Sequence, residues 1–446
     1  MTRLRLRYRP SQVDYLLVLL LVAISGNQAF TTGARQDVVL LGAFLIILLR
    51  MIKLQRVLES RSFLIVVSIY LMIFLFQTLS LHYFAAVTIA GFFFKLVIGA
   101  GVIGTVRYFR LAYVRVMVWL ATLSLLFHLS SVVAAAVGIR LYEVFRPLSA
   151  LIGAEASGVN ERINVLLHSF MGGEELYRNA GMFWEPGAFS GYLILALVLL
   201  ATIATDLPAP VLRRWRAILV VTELTTLSTT GYVFLPLALM TFRIVATERT
   251  RNGLNRLAIL TLLPLLLLPM ALALWQLDFV GSKIVGLYER AVFQEAGWQV
   301  SRFGAVIFDW AYIQIRPLFG WGQSLATQFS LHPDLERFAT GNGLTGYARQ
   351  LGLCGLLVFL SGFWIGLGRL GVTGISRIFV FAIAVLQLNG EFFLSYPLYA
   401  GLQCLALERN PATEAARAGR QRKGLYLPMG RRQPATARMM GGGSVT

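Results

Sequence analysis

The chain has 446 residues, 57% of them hydrophobic and 14% charged, with a mean hydropathy of +0.70 and a formal net charge of +19. A water-soluble domain does not carry so much apolar surface, and the basic residues fall between hydrophobic runs rather than along a nucleic-acid-binding face. Cys354 and Cys404 both lie inside apolar runs, which excludes a disulfide framework or a zinc-ligand set.

Met1–Pro10 carries Arg3, Arg5, Arg7 and Arg9 ahead of an apolar stretch with no A-x-A-like site after it. It reads as the flank of an uncleaved first span. Apolar runs follow at 14–30, 38–52, 62–80, 84–105, 114–137, 188–206, 216–229, 231–247, 258–276, 344–368, 377–390 and 392–408. A bilayer-spanning helix needs roughly 17–25 residues. The runs are continuous rather than alternating, which selects helices over a barrel. The expected fold is an all-α polytopic membrane protein of about 12 transmembrane helices, one domain over 1–408.

Alternate connections are basic: Arg50, Lys53, Arg56 and Arg61; Arg107 and Arg110; Arg213, Arg214 and Arg216; Arg243, Arg249, Arg251 and Arg256; Arg369 and Arg377; and the segment from Arg409. The positive-inside rule puts these, and both termini, in the cytoplasm. Two long connections, 138–187 and 277–343, then face the periplasm with mixed charge and many aromatics. Short amphipathic helices lying on the outer membrane surface are expected in them. The segment 409–446 is rich in Ala, Gly, Pro and Arg and reads as a disordered basic tail facing anionic lipid.

The pair of spans around TELTTLSTTGYVF (222–234) lacks a charged outer connection. At about 1.5 Å per residue, 216–229 covers only about 21 Å. A hairpin turning at Ser228–Gly231 stops short of the outer surface and leaves a recess lined by Ser228 and Thr229. Alternatively these hydroxyls cap helices or bond helix to helix.

No phosphate-binding G-x-x-x-x-G-K-[ST] loop, H-E-x-x-H or paired-Asp cluster is present. Chemistry on the outer side therefore falls to a few charges. In RNAGMFWEPG (178–187), Pro186 suits the first turn of a helix and puts Glu185 at its N-terminus. Glu185 there is a general base or a residue favoured by the helix dipole. Arg178 is a candidate anion clamp, and Trp184 either lines the recess or joins an interfacial aromatic belt. In SRFGAVIFDWAYIQIRPLFGWGQS (301–324), Arg302 and Arg316 flank a helix-like stretch, and Gly320 and Gly322 let backbone approach a ligand. Both arginines suit a phosphate, and both alternatively pair with Asp309 or Glu295 on the surface. His332 is a candidate base or a solvated loop residue. His128 reads as a helix–helix hydrogen bonder, and Lys95 has no assignment.

RNAGMFWEPGAF, LSTTG between two short spans, R-F-G through IRPLFGWGQS, and TGNGLTGYARQLGLCGLLVFL (340–360) together resemble the O-antigen ligase and Wzy-type polymerase superfamily. The EPGAF form is most similar to its exopolysaccharide polymerase branch. The resemblance covers about 178–360 and the general layout of spans. It implies a GT-C-like inner-membrane glycosyltransferase that uses undecaprenyl-diphosphate-linked oligosaccharide as donor and acceptor, with no metal or cofactor. It implies diphosphate binding by Arg178 and Arg302, with Arg316 as a further candidate, a cavity that includes Asn342, and a chain-length regulator as a partner. The ligase group has histidine directly before the asparagine that matches Asn342, where this chain has Gly341. A histidine base thereby loses weight and Glu185 gains it. The family's arginine after the hairpin serine is Thr229 here. Both departures favour a repeat-unit polymerase over a ligase that transfers glycan to a lipid core. A lipid or polysaccharide flippase is the alternative from another class. Transporters, however, place charge at the midplane and carry repeats, neither of which the sequence shows.

Overall fold

The structure, a computed structural model, describes residues 10–31, 35–55, 57–152, 155–156, 162–172, 177–250, 302–328, 330 and 342–409. They are mostly helical. Besides two four-residue helices, Gln28–Thr31 and Leu325–Gln328, the helices are α1 (Gln12–Gly26), α2 (Arg35–Leu54), α3 (Arg61–Leu81), α4 (Ala86–Thr105), α5 (Phe109–Ala136), α6 (Leu141–Leu151), α7 (Pro186–Thr202), α8 (Ala209–Thr225), α9 (Thr229–Thr250), α10 (Arg302–Ile315), α11 (Gly343–Arg369), α12 (Gly374–Gln387) and α13 (Pro397–Leu402). Four of them, α3, α4, α5 and α11, are long and apolar enough to cross a membrane. Shorter apolar helices accompany them: α1, α7, the first part of α9 and α12. The expected run 258–276 lies outside the described residues, as does the tail beyond Arg409.

Helix α7 is the hub. Almost every side chain from Ala188 to Thr202 is buried, all round the helix. An apolar helix without a polar face is stable only when other helices enclose it. Helices α5, α8, α9 and α12 pack around it. Outer helices show the reverse: α3 exposes Leu64, Ile65, Leu71, Met72, Leu75 and Leu79 along one side. A bilayer solvates such a surface, and water does not.

At one end of the bundle, polar side chains tie helix ends together. There Arg50 reaches the buried Asp14 at 2.5 Å, and Arg110 meets Glu408 at 3.1 Å and Thr202 at 2.9 Å. Arg369 bonds Ser62 and Arg377 bonds the Trp364 carbonyl. The other end gathers the starts of α7, α9 and α11.

Two expectations change. The run 392–408 is not one helix but two 3-10 turns flanking α13. It lies against α4, where a Cβ on Gly99 would come within 2.7 Å of the Gly401 Cα. Glycine on both sides lets backbones touch, and the segment exchanges helix length for that fit. The first long connection contains the expected helix, α6, but also an antiparallel sheet of order β1-β2-β3, with β1 Glu155–Ala156, β2 Arg162–Asn164 and β3 Ser169–Met171. Pairing Ile163 with Phe170 places both under α6 with Tyr142, so the strands alternate too briefly to be legible as a pattern.

Candidate functional site

The segment 178–187 is bound into the bundle from several sides. Asn179 donates its backbone N–H to the Thr225 carbonyl at 2.9 Å and its side chain to Thr225 Oγ1 at 3.0 Å and Ser124 Oγ at 3.3 Å. Gly181 has φ +54, and a Cβ there would sit 2.8 Å from the Phe189 ring, so glycine is required for both reasons. Phe183 stacks on Phe189 and packs at a tilt against Tyr192. These contacts hold the half-buried Arg178 over the α8–α9 turn, where its Nε reaches the Thr226 carbonyl at 3.5 Å.

The turn itself occupies 226–228, slightly earlier than the Ser228–Gly231 expected, and α9 starts at Thr229. Ser228 Oγ accepts from the Gly231 N–H at 3.3 Å, so this hydroxyl caps α9. Thr229 Oγ1 is buried with no hydrogen-bond partner among the described residues. Beneath the turn lies Glu223, wholly buried, with Ser190 Oγ donating to its Oε1 at 2.6 Å. Arg178 and Glu223 both act electrostatically on Tyr232, which places all three in one neighbourhood. A small recess lies on the Ser190 side of Glu223, lined by Gly187, Ser190, Thr230, Gln387 and Gly390 among others.

Pro186 starts α7 as its sequence implies, with Glu185 as the N-cap residue, but the Glu185 carboxylate makes no hydrogen bond to the helix amides. The capping role is thus limited to the dipole. Trp184 packs on Tyr396 with ring centroids 4.9 Å apart, and Glu185, Glu391 and Arg162 all lie near the Tyr396 hydroxyl.

The second group of expected residues is arranged differently. Arg302 opens α10, its side chain lying outside the described residues, as does the whole of His332. Arg316 does not pair with Asp309. It donates to Ser80 Oγ at 3.0 Å and to the Ser80 carbonyl at 3.3 Å, with its guanidinium 4.9 Å from the Trp321 ring centroid. Asp309 instead meets Arg349 of α11, and Thr345 donates to its Oδ2 at 2.6 Å. Burial pushes the Asp309 carboxyl up to about 6, against the opposing pull of Arg349 and Thr345.

The glycines expected to approach a ligand approach the chain itself. Gly320, at φ +69, lies where a Cβ would stand 2.5 Å from the Arg349 carbonyl. Trp321 and Gly322 donate to the carbonyls of Arg349 and Gln350, both at 2.9 Å, and Leu353 and Cys354 return bonds to Pro317 and Leu318. This docking occurs where α11 breaks at Gly352, φ +71. The broken turn leaves carbonyls without helical partners, and the 317–322 loop supplies donors for them. Gly322 also borders a second small recess between α3, α4 and this loop. Asn342, placed in the cavity by resemblance, is the α11 N-cap, accepting from the Leu344 and Thr345 amides at 3.0 Å each.

The structure thus brings Arg178, Ser228 and Thr229 together at the α8–α9 turn and ties Arg316, Gly320 and Gly322 to the α10–α11 joint. Sequence reasoning missed Glu223 and Arg349. Both are charged residues within apolar or half-apolar helices, and that placement alone is a functional signal. Among the described residues no group of three His, Cys, Asp or Glu side chains could hold a metal ion. No protein-family model matches the chain, and no curated protein matches it either.

Proposed function

We propose that the chain is a glycosyltransferase that joins undecaprenyl-diphosphate-linked oligosaccharide units into exopolysaccharide or O-antigen. In this reading it is a GT-C-like protein of the bacterial inner membrane, with about 12 spans, cytoplasmic termini and a site open to the periplasm. The observation that carries the proposal is the placement of Arg178. A half-buried guanidinium lies over the α8–α9 turn, at the end where α7 and α9 begin. Helix N-termini and an arginine fork together favour a phosphate-bearing leaving group. As the sugar–phosphate bond breaks, charge grows on the diphosphate, and a donor already in place stabilises it without reorganising. Arg302 is the further cation assigned to the donor, Arg316 being engaged with Ser80 and Trp321, and Glu185 is a carboxylate at the mouth of the site. Membrane lipids and a chain-length regulator are the partners in this reading. A ligase acting on a lipid core would need the same leaving-group chemistry and differs in its acceptor.

The test is a purified, detergent-solubilised protein supplied with undecaprenyl-diphosphate repeat units. The expected product is a ladder of longer lipid-linked glycans. Unchanged substrate would overturn the proposal.

One observation favours the other class. Helix α11 is interrupted at Gly352 beside a buried Arg349, and transporters place broken helices at their binding sites. Movement of a fluorescent lipid-linked glycan across liposomes, with no elongation, would select that reading.

A further inference from the structure

Glu223 is a carboxylate in an unusual setting. It is 0% exposed, and Ser190 Oγ holds one of its oxygens at 2.6 Å. The other, Oε2, is buried with no hydrogen-bond partner among the described residues, and no cation forms an ion pair with Glu223 there. An unpaired charge is costly to bury. A tie between α7 and α8 does not need that cost, since glutamine accepts the same Ser190 hydrogen bond without charge.

The setting is built on purpose at the backbone level. A Cβ on Gly231 would overlap both the Glu223 carboxyl and the Ser190 hydroxyl, so only glycine lets α9 close over the pair. Ser190 lines the recess that Thr230, Gln387 and Gly390 complete, whereas Glu223 lies behind it. The serine hydroxyl therefore connects the recess to the carboxylate.

Resting on the glycosyl-transfer reading, we infer that Glu223 is the terminal proton acceptor for the acceptor sugar's hydroxyl, reached through Ser190. The acceptor oxygen bonds to the donor's anomeric carbon. Its proton passes to Ser190 Oγ as the Ser190 proton passes to Glu223. The bond from anomeric carbon to phosphate oxygen breaks, and its electron pair leaves on the lipid diphosphate beside Arg178. Glu223 becomes neutral and returns its proton to water through the recess. Proton removal of this kind contributes about 10²–10⁴-fold to a rate. Ser190 touches the substrate in this arrangement, and Glu223 acts through it.

The experiment compares wild type, Glu223→Gln, Glu223→Asp and Ser190→Ala in the elongation assay across pH, with binding of the lipid-diphosphate oligosaccharide measured separately. Glu223→Gln is expected to bind donor as wild type does, to lose about 100-fold or more in kcat, and to lose the acid limb of the pH–rate profile. Glu223→Asp keeps partial activity with that limb displaced. Ser190→Ala lowers kcat with donor binding intact, and it decides the matter if the glutamine variant fails to fold. Elongation by Glu223→Gln at the wild-type rate with an unchanged pH profile overturns the inference alone. Absence of elongation by wild type overturns the glycosyl-transfer reading beneath it.

Discussion

Asp309 Oδ1 lies 2.9 Å from Arg349 Nε, with the two side chains 0% and 1% exposed. The contact is a buried ion pair and is not aligned as a hydrogen bond. Gln328 takes the outer guanidinium nitrogens at 3.3 and 3.2 Å, and the Phe308 ring lies 5.3 Å away. The pair joins α10 to α11 and so fixes the second long connection to a long apolar helix.

Removing one member should therefore cost more than removing both. Asp309→Leu leaves a buried cation, and a loss of about 3–5 kcal/mol is expected. The double variant Asp309→Leu, Arg349→Met should recover at least half of that, read from thermal melts in detergent. A double variant no better than the single would refute a charge-based penalty.

The pH dependence of stability has two opposed contributions. Burial, with His128 adding to it, holds His168 down at about 3, where it packs between Phe127 and Phe170. Between that value and the ordinary 6.5 the unfolded chain binds more protons, so stability present above 6.5 is lost as pH falls. Asp309 runs the other way. Its value is raised from 3.8 to about 6, so its contribution is present at low pH and is lost as pH rises through 6. His168 has the larger displacement, and wild type should melt at lower temperature at pH 5 than at pH 7. His168→Phe should flatten or reverse that slope. An unaltered slope would show that His168 is not the group responsible.

Two glycines separate backbone strain from collision. Gly371 has φ +81 with nothing within 4 Å of a Cβ, so Gly371→Ala should cost about 1 kcal/mol from conformation alone. Gly320→Ala adds a Cβ 2.5 Å from the Arg349 carbonyl and should cost several times as much. Equal melting temperatures for the two would contradict the close docking of 317–322 on α11.

Activity should separate the arginines. If Arg178 faces the leaving group, Arg178→Ala should lower kcat about 10²–10³-fold. Arg178→Lys should restore little, because an ammonium cannot reproduce a two-pronged contact. Arg316 is engaged with Ser80 and Trp321, and Arg316→Ala should lower kcat less than tenfold, on the order of one surface-contact loss. Comparable losses at both positions would require Arg316 to leave Ser80 when donor binds.

Long apolar helices were legible in the sequence because length and continuity alone define them. The ends of α3, α4 and α11 fall within two residues of the runs 62–80, 84–105 and 344–368. Run 392–408 misled for the same reason. Its composition suits a span, but its contacts with Gly99 and Ser25 are made by residues far apart in the chain. At the site, Pro186 announced the start of α7 through local chemistry. Ser228 as a cap was one of two open readings. The partnership of Asp309 with Arg349 was not legible, because it is set by how α10 meets α11 and not by spacing along either.

The glycine-to-glycine contact between α4 and α13 also bears on how the chain comes to be assembled. Ser25 accepts the Leu398 amide across 373 positions, and Arg110 pairs with Glu408 across 298. During synthesis the Gly99 face of α4 therefore waits, unfilled, while nearly all of the remaining helices are produced. Such distant pairings are slow to form and leave intermediates open to wrong partners. An insertion factor or lipid that shields that groove would act while the bundle is being assembled, before its last segment has been made.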